Sequence, residues 1–205
     1  MSKSIVKLID EQIKRWEMEK HKETDIPDKL NVITISRECG SMGYEVASML
    51  SEKTGYDLFH NEIVEAMVET SKNSRFLLET LDERSMNVVE DVVSDFINSH
   101  HLWPDEYSKL LFRILTTISK HGNAVILGRG ANCVLSGEKI FRVRIVAPMA
   151  FRINYIQHTK DMNKEDALKY ITSIDANRAA FVKRYCNCDT ADPAIYDLVL
   201  NIGSM

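Results

Sequence analysis

Residues 31–43 read Asn31-Val-Ile-Thr-Ile-Ser36 and then Arg37-Glu-Cys-Gly-Ser-Met-Gly43, and this stretch decides the fold class. Its first half is a β-branched run of the kind that forms a strand buried on both faces of a parallel sheet. Its second half has two glycines, and an apolar helical pattern follows over residues 44–54 until Gly55. The sequence therefore predicts a strand, a glycine loop and a helix in direct succession.

Strands and helices alternate along the rest of the chain. A short strand is predicted just before His60, and helical patterns cover residues 61–71 and 107–121. Three more short apolar runs predict strands, at residues 124–127, 142–147 and 197–201. Helices are expected after the first two of these runs. This alternation predicts an α/β protein with a parallel sheet and right-handed crossovers.

The first 29 residues form a separate unit. Apolar side chains recur at helical spacing from Ile5 to Trp16, and a polar stretch that contains Pro27 follows. We therefore predict an amphipathic helix and a linker over residues 1–29, and one domain over residues 30–205. The apolar stripe of the helix could dock on the chain's own body, pair with a second subunit or bind something else.

Composition excludes several classes of protein. A chain of 205 residues with 44% hydrophobic residues can bury a substantial core. The 26 basic and 30 acidic residues give a net charge of -4, so we predict neither nucleic acid nor a membrane as a partner. The four cysteines lack zinc-site spacing and no leader segment is evident, so we expect no metal site and a cytoplasmic location. A two-cysteine metal or redox role for Cys186 and Cys188 stays open beside the simpler interpretation as loop thiols.

The glycine loop has the composition of a phosphate site but not its full motif. Glycines let backbone N–H groups converge on an oxyanion, and the N-terminus of the following helix adds partial positive charge. Tyr44 and Glu45 follow Gly43, however, where the pattern G-x-x-x-x-G-K-[ST] has a lysine and a hydroxyl residue. The loop by itself is equally compatible with a structural turn.

Ligands of parallel α/β sheets bind beyond the carboxyl ends of the strands. The segment Gly128-Arg129-Gly130 follows one predicted strand, and Pro148 follows another and leads into a helix with Arg152. We therefore expect the glycine loop and these two arginines at the same edge of the sheet.

Several segments in this order resemble the cytidylate kinase-like family over about residues 31–201. The matching segments are Ile33-Thr-Ile-Ser-Arg-Glu38, Gly40-Ser-Met-Gly43, Val125-Ile-Leu-Gly-Arg-Gly-Ala131, Arg142-Val-Arg-Ile-Val-Ala-Pro148, Asp175-Ala-Asn-Arg178 and Tyr196-Asp-Leu-Val-Leu-Asn201. The resemblance implies a P-loop kinase-type fold, a three-layer α/β/α arrangement with a five-stranded parallel sheet. It also implies a helical acceptor-binding insertion over about residues 60–105, and a helical lid with a further helix over about residues 149–185.

The resemblance also implies roles for single residues. Arg129 matches an arginine that contacts the phosphate of the acceptor nucleotide, and Asp175 and Arg178 match a pair that recognises this acceptor. An Asp/Arg pair at this spacing on a helix that begins near Asn163 is otherwise an ordinary salt bridge. His60 is a further candidate for the acceptor site, although a structural histidine is the simpler interpretation.

ATP and Mg²⁺ are the cofactors that the resemblance implies. The residues predicted to bind them are Arg37, Cys39, Gly40, Ser41, Met42, Gly43, Tyr44 and Glu45. The residues predicted to neutralise charge during phosphoryl transfer are Arg37, Arg129 and Arg152.

Two functions from different classes follow. The first is transfer of the γ-phosphoryl group of ATP to a nucleoside monophosphate, with CMP as the default acceptor, or to another small acceptor. The second is a nucleotide or phosphate sensor without catalysis. Tyr44 and Glu45 favour the sensor, whereas Arg129, Asp175 and Arg178 favour a working acceptor site.

Overall fold

The computed structural model describes residues 5–19, 32–69, 81 and 83–204. The helices in these ranges are α1 (Ile5–Glu19), α2 (Gly43–Thr54), α3 (Asn61–Glu69), α4 (Glu83–Ser99), α5 (Glu106–His121), α6 (Ala131–Val134), α7 (Met149–Lys160) and α8 (Lys164–Cys186). The strands are β1 (Val32–Arg37), β2 (Asp57–Phe59), β3 (Ala124–Leu127), β4 (Ile140–Val146) and β5 (Leu198–Asn201). No helix in the described ranges combines the length and the apolar composition that a bilayer span requires.

The strands form a parallel five-stranded sheet in the order β2-β3-β1-β4-β5. All four residues of β3 are buried, and they alternate between two apolar clusters. Ala124 and Ile126 pack in a cluster with α3, α4 and α5, whereas Val125 and Leu127 pack with Ala47 of α2. Helices therefore cover both faces of the sheet, which confirms the predicted three-layer α/β/α arrangement.

The predicted strands and helices are confirmed with small changes at their ends. β1 extends to Arg37, one residue beyond the predicted end, because Arg37 pairs with Ile145 of β4. β4 begins at Ile140, two residues before the predicted start, because it continues along β1 to Val32. These ends depend on the neighbouring strand, which the pattern of one segment does not report. The last two residues of the helix predicted over 61–71 lie outside the described residues.

Helix α1 lies against the body of the chain. Ile9, Ile13 and Trp16 are buried in the cluster that also contains residues of β2 and β3. Beside them, the Nη1 atom of Arg15 lies 2.9 Å from a carboxylate oxygen of Asp57 at the start of β2. The apolar stripe therefore packs on the chain itself, which was one of the alternatives. A contact with a second subunit through α1 stays a prediction, and the linker predicted after the helix lies outside the described residues.

His121 at the end of α5 makes the docking of α1 sensitive to pH. Its ring stacks on Trp16 with 4.1 Å between centroids, and burial lowers its pKa from 6.5 to about 4. Below about pH 6.5 the unfolded chain binds a proton at this residue, whereas the folded chain stays neutral there until about pH 4. The contribution of neutral His121 to the free energy of unfolding is therefore fully present above about pH 6.5. It is lost as the pH falls from 6.5 to about 4.

We expect the wild type to lose about 1 kcal/mol more unfolding free energy than His121→Phe between pH 7.5 and 5.5. Urea unfolding of both proteins at the two pH values measures this difference. An equal loss in both proteins would show that His121 is not held in its neutral form.

Candidate active site

The glycine loop joins the carboxyl end of β1 to the start of α2. Gly40 and Met42 lie in the left-handed region, with φ angles of 79° and 54°. Met42 is the N-cap residue of α2, but it makes no side-chain hydrogen bond to the helix. The N-cap side chain therefore leaves the first-turn N–H groups of α2 without a cap, at the end of the helix that carries partial positive charge. This helix start fits an anion such as a phosphate group.

The side chain of Arg37 runs beneath this loop from β1 toward the end of β3. A Cβ atom at Gly43 would come within 2.6 Å of Arg37 Cβ, and a Cβ atom at Gly128 would overlap the Arg37 guanidinium group. Gly43 requires glycine because the Cβ and Cγ atoms of Arg37 fill the space beside it, whereas Gly128 is favoured by its left-handed backbone, with a φ of 87°. The aliphatic stem of Arg37 therefore lies beside the glycine loop, and its guanidinium group lies beside Gly128 in the turn that contains Arg129.

Arg152 of α7 is buried behind the loop and is only 5% exposed. Its Nε donates to the carbonyl oxygen of Cys39 at 2.8 Å, its Nη1 lies 3.3 Å from Glu38 Oε2, and its Nη2 pairs with Asp175 of α8. The catalytic role of Arg152 stays a prediction, and in the structure this side chain holds the loop against α8. Its guanidinium group is fully engaged with the loop and α8, and it does not line the pocket described below.

Cys39 joins the loop to the two helices α7 and α8, which form the region predicted as the lid. Its N–H group donates to Asp175 Oδ1 at 2.8 Å, so this loop amide already has a carboxylate partner. Its side chain is buried with Ile153, Ile156 and Ile171 of the two helices, and burial raises the pKa of the thiol. The loop and this helical hairpin are therefore held together as one unit.

A pocket of about 530 Å³ lies at the carboxyl edge of the sheet, beside β1, the turn after β3, and α8. Four arginines line it, Arg37, Arg129, Arg144 and Arg178, together with Glu38 and Asp175. Asp175 and Arg178 lie one turn apart on the pocket side of α8, whose first turn is capped by the Asn163 side chain as predicted. The structure thus brings together four of the predicted site residues: Arg37, Arg129, Asp175 and Arg178.

Positive charge is in excess in this pocket. Burial, together with smaller contributions from the neighbouring charges of Arg178 and Arg129, lowers the pKa of Arg37 to about 9. Burial also lowers the pKa of Arg178, whose Nη1 donates to the carbonyl oxygen of Arg37 at 3.3 Å. Crowded guanidinium groups repel one another, so a bound anion would relieve an existing electrostatic cost. The pocket therefore fits a phosphate group better than a neutral ligand.

Arg129 is held by the helices around the pocket. It lies in the left-handed region, with a φ of 54°, between two glycines that also have positive φ angles. Its guanidinium group pairs with Glu65 of α3 and lies 5.2 Å from the ring centroid of Phe181 in α8. Glu65 also accepts a hydrogen bond from the Tyr107 hydroxyl at 3.0 Å. Arg129 therefore connects the predicted insertion to the pocket.

The pocket lining also leaves out Tyr44, Glu45 and His60. Tyr44 is 53% exposed, and its ring meets the ring of His60 edge-on, with 6.1 Å between centroids. His60 is half-buried, and this burial lowers its pKa. Glu45 accepts a hydrogen bond from the hydroxyl of Tyr155 in α7. These residues surround the start of α2 rather than the arginine pocket.

The start of α2 fits the phosphates of ATP in part. Its uncapped amides, from Gly43 onward, can hold phosphate oxygens through the backbone. No lysine or hydroxyl side chain follows Gly43, and Glu45 is the acidic residue of the first turn, so it would be the ligand for Mg²⁺. Within the described ranges, no cluster of three or more histidine, cysteine or acidic residues could hold a metal ion by itself. A bound Mg²⁺ would therefore depend mainly on phosphate oxygens and water.

The sequence patterns missed Arg144, Ser36 and Glu65 as residues of the site. One feature of the sequence pointed to Arg144: a charged residue at an alternate position of an otherwise apolar, buried strand is unusual unless it has a partner or a function. Glu65 had none, because an acidic residue on an amphipathic helix is an ordinary surface residue.

A parallel sheet with a glycine loop at a helix start and an arginine-lined pocket at its carboxyl edge is typical of α/β proteins that bind phosphate compounds. The cytidylate kinase-like family matches residues 32–204, and the chain belongs to this family. The resemblance predicted from the sequence is therefore confirmed, and membership supports a nucleotide kinase-like role.

Three known proteins are similar to this chain to different degrees. The cytidylate kinase of Natronomonas pharaonis is 26% identical over 175 residues, which are 85% of this chain and 82% of that protein. The crystal structure of an uncharacterized protein from Eubacterium ventriosum superposes with a TM-score of 0.62 at 20% identity, over 85% of this chain and 89% of that one. Shikimate kinase from Bacteroides thetaiotaomicron gives a TM-score of 0.43 at 12% identity, over 83% and 86% of the two chains. The Eubacterium structure shares the fold of this chain.

Proposed function

We propose that the chain transfers the γ-phosphoryl group of ATP to a nucleoside monophosphate, with CMP as the default acceptor. The observation that carries this proposal is the excess of positive charge in the arginine pocket, next to a helix start that fits phosphate groups. The likeness to the Natronomonas cytidylate kinase supports CMP as the first acceptor to test. In this proposal Arg129, Asp175 and Arg178 belong to the acceptor site.

Arg37 is the residue that we propose for charge neutralisation during transfer. Its aliphatic stem passes beside Gly43 at the start of α2, and its guanidinium group lies beside Gly128 at the pocket. A cation at this position faces the charge that develops as the phosphoryl group passes from donor to acceptor. ATP supplies the phosphoryl group, and Mg²⁺ neutralises charge on its phosphates. Asp175 and Arg152 position the loop in this scheme.

The second candidate function is binding of a nucleotide or phosphate compound without transfer. Tyr44 stands where the motif has a lysine, and the Cys39 N–H of the loop is already bound to Asp175. Both observations weaken the donor site and leave the acceptor pocket intact. We also propose a cytoplasmic location, which agrees with four free cysteines.

Titration with Mg²⁺-ATP, then with CMP and other monophosphates, followed by a turnover assay, separates the two candidates. Binding of both ligands with release of ADP and CDP is the result expected for the kinase. Binding of a monophosphate without any diphosphate product would leave the non-catalytic function.

Tyr44→Lys is expected to raise the rate of ATP-dependent transfer by about tenfold or more, because an ammonium group near the start of α2 stabilises phosphoryl charge. The control is Met49→Lys, which adds the same charge to an exposed position of the same helix. Steady-state rates of ADP formation measure the effect. An equal rate change in both variants would show that general charge, rather than position 44, is responsible.

A further inference from the structure

Two of the matching sequence segments have no role in the proposed transfer, and they meet at Ser36. Arg144 of β4 lies opposite Ser36 of β1 in the sheet, and its Nη1 donates to Ser36 Oγ at 2.7 Å. The hydroxyl oxygen of Tyr196 lies 3.3 Å from the same Oγ, and this hydroxyl donates to the carbonyl oxygen of Thr190 at 3.0 Å. Tyr196 is buried, whereas Arg144, Ser36 and Thr190 all line the arginine pocket.

Arg144 and Arg178 are not ion-paired within the described residues. In the part of the chain that the structure describes, no carboxylate oxygen lies within 4 Å of the guanidinium nitrogens of Arg144 or Arg178. The two acidic residues of the pocket, Glu38 and Asp175, are both paired with Arg152. Arg144 also lowers the pKa of Arg37 and of Arg178, although burial is the larger cause for both. Three cations from β1, β4 and α8 therefore face the same space.

We infer that Arg144 is a specificity-determining residue of this pocket, and that it binds the dianionic phosphate group of a phosphomonoester together with Arg37 and Arg178. The planar guanidinium fork matches the oxygens of a phosphate group, and Ser36 holds this fork in one orientation. A phosphomonoester with two negative charges offsets the repulsion among three arginines better than a carboxylate with one charge. The inference rests on the proposed function only in that the acceptor occupies this pocket.

A purely structural role for Arg144 predicts a different outcome. If Arg144 serves to hold Ser36 and the β1–β4 pair, its removal lowers the melting temperature. If it serves to bind phosphate, its removal relieves repulsion in the empty pocket and the melting temperature does not fall. The phosphate-binding role predicts weaker phosphate affinity without a lower melting temperature, whereas the structural role predicts a lower melting temperature. The two roles can therefore be separated.

The test is calorimetric titration without ATP, using CMP, UMP, AMP, GMP and inorganic phosphate as ligands and the nucleoside of the best binder as the neutral control. Arg144→Met keeps the bulk of the side chain and removes its charge. Arg113→Met is the matched control, since Arg113 pairs with Glu90 on the surface, away from the pocket. Melting temperatures of the ligand-free proteins are measured alongside.

We expect at least one phosphate compound to bind the wild type, and Arg144→Met to weaken it at least tenfold because a charged hydrogen-bond partner is lost. Arg113→Met should change this affinity less than twofold, and Arg144→Met should not change the affinity for the nucleoside. The melting temperature of Arg144→Met should equal or exceed that of the wild type.

Three results would overturn the inference. The first is unchanged phosphate affinity in Arg144→Met, and the second is an equal loss of affinity for the phosphate compound and for the nucleoside in this variant. The third is that no phosphate compound binds the wild type. The expected binding pattern without turnover in the wild type would refute the kinase proposal and leave the role of Arg144 intact.

Discussion

Arg152→Met is expected to lower the free energy of unfolding by about 3–5 kcal/mol, the cost of removing one partner from a buried ion-pair network. Arg152 is 5% exposed, and its loss leaves Glu38, Asp175 and the Cys39 carbonyl oxygen without their shared donor. Urea unfolding monitored by circular dichroism measures the change. The matched control is again Arg113→Met, which breaks a pair whose side chains are 40% and 44% exposed. We expect the control to lose less than about 1 kcal/mol.

A double variant sharpens this prediction. Arg152→Met combined with Asp175→Asn removes one of the uncompensated charges, so it should be destabilised by less than the sum of the two single variants. Additive losses would show that the two residues do not act through their ion pair. A loss in Arg152→Met as small as that of the surface control would contradict the buried network altogether.

Gly40→Ala is expected to cost about 3 kcal/mol, the second large effect. The left-handed backbone of Gly40, with a φ of 79°, costs an L-residue about 1–2 kcal/mol. The new Cβ would also lie 2.8 Å from the backbone oxygen of Arg152, and crowding of this kind adds about 1–3 kcal/mol. Thermal or urea unfolding of the purified variant measures the loss.

Gly55→Ala is the matched control for Gly40→Ala. Gly55 has a similar φ of 74°, but a Cβ atom there meets nothing within 4 Å. The control should therefore show the backbone cost alone, about 1 kcal/mol. Equal losses at the two positions would mean that the loop does not press against the backbone of α7.

Both predictions concern the same feature, the attachment of the glycine loop to the α7–α8 hairpin. Cys39 packs against both helices, and Glu38 pairs with Arg152 of α7. Gly40 leaves room for the backbone of α7. A lid that opens independently of the phosphate loop would have to break these contacts. We therefore expect any opening of the hairpin to move the loop with it, which would couple the proposed donor and acceptor sites mechanically.

Much of the candidate site could be predicted from the sequence, because strand ends are visible in a local pattern. Residues at the carboxyl ends of parallel strands reach the same edge of the sheet, and both Arg37, the last residue of β1, and Arg129, two residues after β3, line the pocket there. The helix spacing of Asp175 and Arg178 likewise put both on one face of α8. For these residues, position along an element was enough to determine position in space.

The rest could not be predicted, because it depends on partners far away in the chain. The contacts that hold Arg152 depend on Cys39 and Asp175, which are bonded to each other across 136 positions of the chain. Arg144 lines the pocket because Ser36 orients it across the sheet from 108 positions away. Hydrogen bonds and ion pairs of this range leave no periodic signal in the sequence.

The sequence by itself determined the alternation of strands and helices, the parallel sheet, the glycine loop and the family, because these depend on local periodicity and on short ordered motifs. Only the tertiary structure decided which arginines line the pocket and which form ion pairs with carboxylates. The physical reason is that the hydrogen bonds and ion pairs of a guanidinium group depend on the carboxylates and carbonyl oxygens that folding brings within 4 Å of it. The neighbouring residues in the sequence do not determine these partners.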